Sequence, residues 1–90
     1  MLANVVKLKS RLADIVEPDF GLLGQLLSME VLTPDQTVDV RSERTVFGRN
    51  EAVLNVLTSE DQCRKFLKAL ERTGQEHVAN FIRQNEGQKH

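Results

Sequence analysis

The sequence predicts an all-α fold, a six-helix antiparallel bundle, on three observations. Apolar residues recur at spacings of three and four, Ser- or Thr-led capping signatures punctuate the chain, and no segment alternates at period two for long. Ninety residues suffice for one compact domain and not for two.

Val5, Leu8, Leu12 and Ile15 mark one face of a helix over about 2–16, with Lys7, Arg11 and Asp14 pointing away. Pro18 then breaks the chain near Glu17, because proline suits a first helical turn and not an interior. A second helix follows over about 18–29, apolar at Phe20, Leu23, Leu26 and Leu27. Its other side, Gly21, Gly24, Gln25 and Ser28, is small and nearly uncharged: an accident, or a flat place where a partner backbone comes close.

Thr33-Pro34-Asp35-Gln36 combines an N-cap, a proline at the first helical position, an acid in the first turn and the Gln of a capping box. It opens a short third helix over about 34–41, since Arg41-Ser42-Glu43-Arg44-Thr45 holds no apolar residue. The fourth, over about 46–57, aligns Val46, Val53, Leu54 and Leu57, with Gly48 weakening its start. Ser59-Glu60-Asp61-Gln62 is a second capping signature, and Cys63, Phe66, Leu67 and Leu70 behind it form the clearest amphipathic stripe in the chain. Thr73-Gly74-Gln75-Glu76 reads as a third box opening the last helix, with Val78, Phe81 and Ile82 inward. The bundle is expected over 1–85, and residues 86–90, which lack any apolar side chain, as a disordered tail. With no Trp or Tyr, the core is Leu, Val and Ile, with Phe20, Phe47, Phe66 and Phe81 as its largest pieces.

Enzymatic chemistry finds no foothold. The single cysteine, Cys63, closes no internal disulfide, makes no zinc site alone, and sits on an apolar stripe where free cysteine acts as a small hydrophobe. His77 lies among polar neighbours and reads as solvated, while His90 belongs to the tail. Gly21 and Gly24 fall inside a helical pattern and not in a phosphate-binding loop. The acids near Asp35 and Asp39 start a helix and lack the spacing of a calcium loop. No catalytic residue, cofactor site or metal site is expected. The absence of a long apolar run argues against a membrane span and, with cysteine usage, for a cytoplasmic setting.

Charge is the informative property. The net value is only -1, but the signs segregate along the chain. Residues 1–16 carry Lys7, Lys9 and Arg11 against Asp14; residues 17–39 carry Glu17, Asp19, Glu30, Asp35 and Asp39 with no Lys or Arg. Arg41, Arg44 and Arg49 against Glu43 restore a positive balance, and the remainder is neutral. Such small basic groups beside an acidic belt disfavour general nucleic-acid binding, which shows an overall basic stripe.

The segment from Leu22 to Asp35, with paired leucines leading to Val31-Leu32-Thr33, resembles the second helix and following turn of the caspase recruitment domain (CARD). Phe66 to Ile82, with its Phe, Leu, Leu, Thr-Gly and apolar pair, resembles that family's fifth and sixth helices more closely still. The likeness covers about residues 2–85, and six helices with a break near Glu17 agree with the family's bent first helix. The stretch Thr45-Val46-Phe47-Gly48 is more apolar than in the family, and the loop before Ser59 lacks its common Lys-Gly pair.

The resemblance implies a homotypic interaction module of apoptotic or inflammatory signalling. Its partner would be another CARD-containing protein (a caspase, an adaptor or a NOD-like receptor) or a further copy in an oligomer or filament. It places Lys7, Lys9, Arg11 and Arg49 on a basic binding patch, and Glu17, Asp19, Asp35 and Asp39 on an acidic one; Arg41 and Arg44 would serve a third contact. The charge division of the sequence predicts the same two patches. Rival readings are a pyrin or death-effector domain, which shares six helices, and a small helical nucleic-acid binder using Arg41, Arg44 and Arg49.

Overall fold

Seven α-helices make up the architecture in a computed structural model, which describes residues 1–86. They are α1 (Leu2–Lys7), α2 (Lys9–Ile15), α3 (Leu22–Ser28), α4 (Pro34–Arg41), α5 (Val46–Val56), α6 (Glu60–Arg72) and α7 (Glu76–Glu86), joined by turns with no strand among the described residues. The fold is all-α.

Three elements form where local chemistry dictates. At α4 both halves of the capping box are made: Gln36 N–H donates to Thr33 Oγ1 at 3.1 Å and Thr33 N–H to Gln36 Oε1 at 2.9 Å. At α6 Gln62 N–H donates to Ser59 Oγ at 3.1 Å, and Cys63, Phe66, Leu67, Ala69 and Leu70 are buried along one side. α5 starts on Thr45, whose Oγ1 accepts the Gly48 N–H at 2.9 Å.

α6 packs against α7, α3 and α1, and α5 against α2 and α4. Every helix contributes to one contiguous apolar cluster, from Val5 in α1 to Ile82 in α7. None of the helices among the described residues is long and apolar enough to cross a membrane.

Four expectations are corrected. The first predicted helix is two, interrupted at Leu8 (φ -95°, ψ 9°), and the inward set becomes Val5, Leu12, Ala13 and Val16 while Ile15 turns to solvent. The second begins four residues late, at Leu22. Glu17 precedes a proline, which disfavours helical backbone there, and Gly21 takes φ 100°, a conformation that favours glycine. Phe20 therefore lies in a turn, 78 % exposed, instead of in the core. Phe47 and Val46 in the first turn of α5 are exposed too, so Phe66 is the one phenylalanine fully buried.

The fourth concerns Thr73-Gly74-Gln75-Glu76, which ends α6 instead of capping α7. Thr73 Oγ1 donates back to Ala69 O at 2.9 Å, Gly74 takes φ 81°, and Gln75 N–H reaches Leu70 O at 2.8 Å. That is a Schellman closure, which satisfies carbonyls a helix end leaves unpaired. The tail expected over 86–90 lies, from residue 87 and including His90, outside the described residues; α7 runs through Glu86.

Candidate protein-binding surfaces

Between α2 and α3 the chain must turn, and three polar side chains distant in sequence, two from α5 and one from the residue before α7, hold that connector, residues 16–21. Asn50 of α5 donates from Nδ2 to Ala13 O at 2.8 Å and to Val16 O at 2.7 Å, satisfying carbonyls at the end of α2. Gln75 brackets Glu17: the Glu17 N–H donates to Gln75 Oε1 at 2.7 Å and Gln75 Nε2 to Glu17 O at 2.8 Å. Arg49 Nη2 meets Asp19 Oδ2 at 3.1 Å, while its Nη1 donates to Glu43 O at 2.8 Å. Asn50 Oδ1 and Arg49 Nε are buried with no hydrogen-bond partner among the described residues, so each side chain is oriented by its other atoms.

Neither Asn50 nor Gln75 is among the residues the sequence marks for a site. Asn50 carried a signal nonetheless: it falls four residues after Val46 and three before Val53, a polar residue in an otherwise apolar stripe, and buried polar groups are there to be bonded. Gln75 carried none, because its place in Thr-Gly-Gln-Glu imitates a capping box.

The expected basic residues Lys7 and Arg11 are exposed on α1 and α2, and Lys9 is half-buried with Nζ donating to Asn55 Oδ1. Val6, 63 % exposed, stands among them. With Val5, Lys9, Leu54, Asn55 and Leu57 it lines a cleft of about 180 Å³ between the α1–α2 junction and the last turn of α5. The acids Asp35 and Asp39 are exposed one turn apart on α4, beside Val38, itself 66 % exposed. Lys7, Arg11, Asp35 and Asp39 form no ion pair with any described residue.

The other expected site residues sit differently. Arg49, from the basic set, and Asp19, from the acidic set, neutralise each other within one molecule. Glu17 spends its carboxylate on the Asp19 N–H at 3.2 Å. Arg41 and Arg44 are exposed, Arg41 at a shallow hollow shared with Pro18, Asp19, Gly21, Leu23 and Gly24. Nothing lies within 4 Å of where a Gly24 Cβ would project, so that face of α3 is open.

Cys63 is fully buried, as its stripe position predicts, and burial pushes its thiol pKa up, the reverse of what activates a nucleophile. Glu60 is held below the ordinary carboxylate range, first by the Leu2 N–H, which donates to its Oε2 at 3.0 Å. No protein-family model matches the chain, and no curated protein or solved structure matches it either.

Proposed function

We propose that the chain is a CARD-type death-fold module of the cytoplasm, a non-enzymatic adhesion domain that binds another domain of its own kind. One observation carries the reading. Lys7 and Arg11 on α1–α2 and Asp35 and Asp39 on α4 are exposed, opposite in sign, and not spent on any partner within the described molecule. The helix order supports it as well. Counted as one helix bent at Leu8, α1 and α2 reduce the order to six, the number the resemblance implies.

Unlike patches on one molecule attract head to tail. Such a contact steers encounter and fixes register, and where its rotation does not close into a ring it can propagate into an open assembly. The partner is a further copy or a related domain presenting one of the two patches.

Sedimentation velocity of wild type and of the Lys7→Glu, Arg11→Glu double variant, with melting curves to verify folding, tests the reading. The wild type is expected to associate more weakly as salt rises from 0.05 to 0.5 M, over which the Debye length shrinks from about 14 to about 4 Å. The folded variant is expected to remain monomeric. A folded variant that associates as the wild type does would refute the electrostatic docking.

A further inference from the structure

Phe20 is the most exposed large apolar side chain among the described residues, 78 % accessible, yet its backbone is not loose. Asn50 holds Val16, Gln75 holds Glu17, and Arg49 holds Asp19 on the residue next to it. An aromatic ring presented on a fixed backbone loses little further freedom on binding, and buried aromatics dominate interface energetics. Of the two acids near it, Asp19 is neutralised by Arg49, and Glu17 leaves the connector with a net negative charge.

Three hollows among the described residues differ in what they offer such a ring. The one lined by Pro18, Asp19, Gly21, Leu23, Gly24 and Arg41 adjoins Phe20's own connector. The one lined by Leu27, Glu30, Leu32, Thr33 and Pro34 carries an acid at its rim, which would face acids. The cleft of Val5, Val6, Lys9, Leu54, Asn55 and Leu57 has apolar walls and a lysine, and its volume is about 180 Å³. An apolar cavity of about 150 Å³ accommodates benzene, so a phenyl ring is the right size. The exposure of Val6, 63 %, also finds its reason there, as a wall awaiting an occupant.

We propose that Phe20 of one copy seats in the Val5–Val6–Leu54–Leu57 cleft of the next copy, with Lys9 facing the negative charge of Glu17 near it. This rests on the reading of the chain as a module that assembles with its own kind, and it adds an apolar anchor to the charged contact. Knob and cleft belong to different ends of α5: Arg49 in its first turn holds Asp19, and Leu54 and Asn55 in its last turn line the cleft. Each copy thus keeps one half of the contact free after the other half is used, and a head-to-tail contact whose rotation does not close into a ring extends.

Phe20→Ala removes the knob and keeps the cleft; Val6→Glu spoils the cleft and keeps the knob. Both positions are exposed, so both variants should melt close to wild type. Each alone is expected to self-associate at least about tenfold more weakly by sedimentation equilibrium, as truncation of an interface anchor does. An equimolar mixture is expected to give dimers and nothing larger, since only one knob-and-cleft contact remains intact.

Phe20→Ala associating as wild type, a mixture that stays monomeric, or a wild type that is monomeric at millimolar concentration would overturn the proposal. The neutral Phe20→Ala separates it from the charge reading. If Lys7→Glu, Arg11→Glu abolishes assembly while Phe20→Ala leaves it intact, the docking by charge stands and the anchor falls; if Phe20→Ala alone abolishes it, the anchor stands.

Discussion

The α6–α7 pair and the connector at residues 16–21 are both ordered, by opposite means. α6 buries Cys63, Phe66, Leu67 and Leu70 against its neighbours, and α7 adds Val78, Ala79 and Ile82. The connector buries little beyond Val16 and Pro18 and is held by side-chain amides and a guanidinium reaching from α5 and from before α7. Apolar packing tolerates substitutions that conserve volume, whereas a polar clamp works only with its own donors and acceptors in place. The first decides that this chain folds. The second decides what it presents, because the clamped turn is what keeps Phe20 in solvent.

The comparison breaks most visibly at Phe66. Phe66→Ala leaves a cavity at the centre of α6 and is expected to cost about 3 to 5 kcal/mol. A denaturant midpoint near that of wild type would contradict the core assignment. Next is Asn50→Asp, of nearly the same size, which sets a carboxylate against Ala13 O and Val16 O and removes both donors. A loss of about 3 kcal/mol is expected, largest at neutral pH and relieved where the acid is protonated.

Gln75→Ala sharpens the contrast. It strips both partners from the Glu17 peptide groups for about 2 kcal/mol, and hydrogen exchange should speed at Glu17 while the amides of α6 stay protected. Exchange rising equally in both regions would mean that the clamp is not local. The smallest effect is at Glu60. Its carboxyl titrates below the ordinary value when folded, so its contribution is present above that value and fades as pH falls through the folded one. The melting-temperature gap between wild type and Glu60→Gln should begin to narrow as pH falls past the ordinary glutamate value of about 4.3 and close only below the lower folded value. A gap independent of pH would remove the Leu2 contact from the account.

How far the sequence discloses this structure follows the same division. The bounds of α4 and the inward face of α6 are local properties, written in caps and in spacings of three and four, and both are legible. Phe20 is not, because its exposure depends on contacts such as Glu17 with Gln75, 58 residues away, and Asn50 with Ala13, 37 away. Periodicity assigns it inward since it shares a spacing with Leu23 and Leu27. The Leu8 interruption is equally silent, as no proline or glycine marks it. The segregation of charge is legible, but the pairing of Arg49 with Asp19 is not, and it removes one residue from each expected patch while leaving Lys7, Arg11, Asp35 and Asp39 available.

Those four residues are where the account is most directly tested. The measurement is the sedimentation of two neutralised variants, Lys7→Ala with Arg11→Ala and Asp35→Asn with Asp39→Asn, alone and mixed in equal amounts, each verified as folded by its melting curve. Head-to-tail docking through unlike patches predicts monomers from either variant alone and dimers, with nothing larger, from the mixture, because one copy keeps its acids and the other its bases. Either folded variant assembling alone as wild type does, or a mixture that remains monomeric, would contradict it.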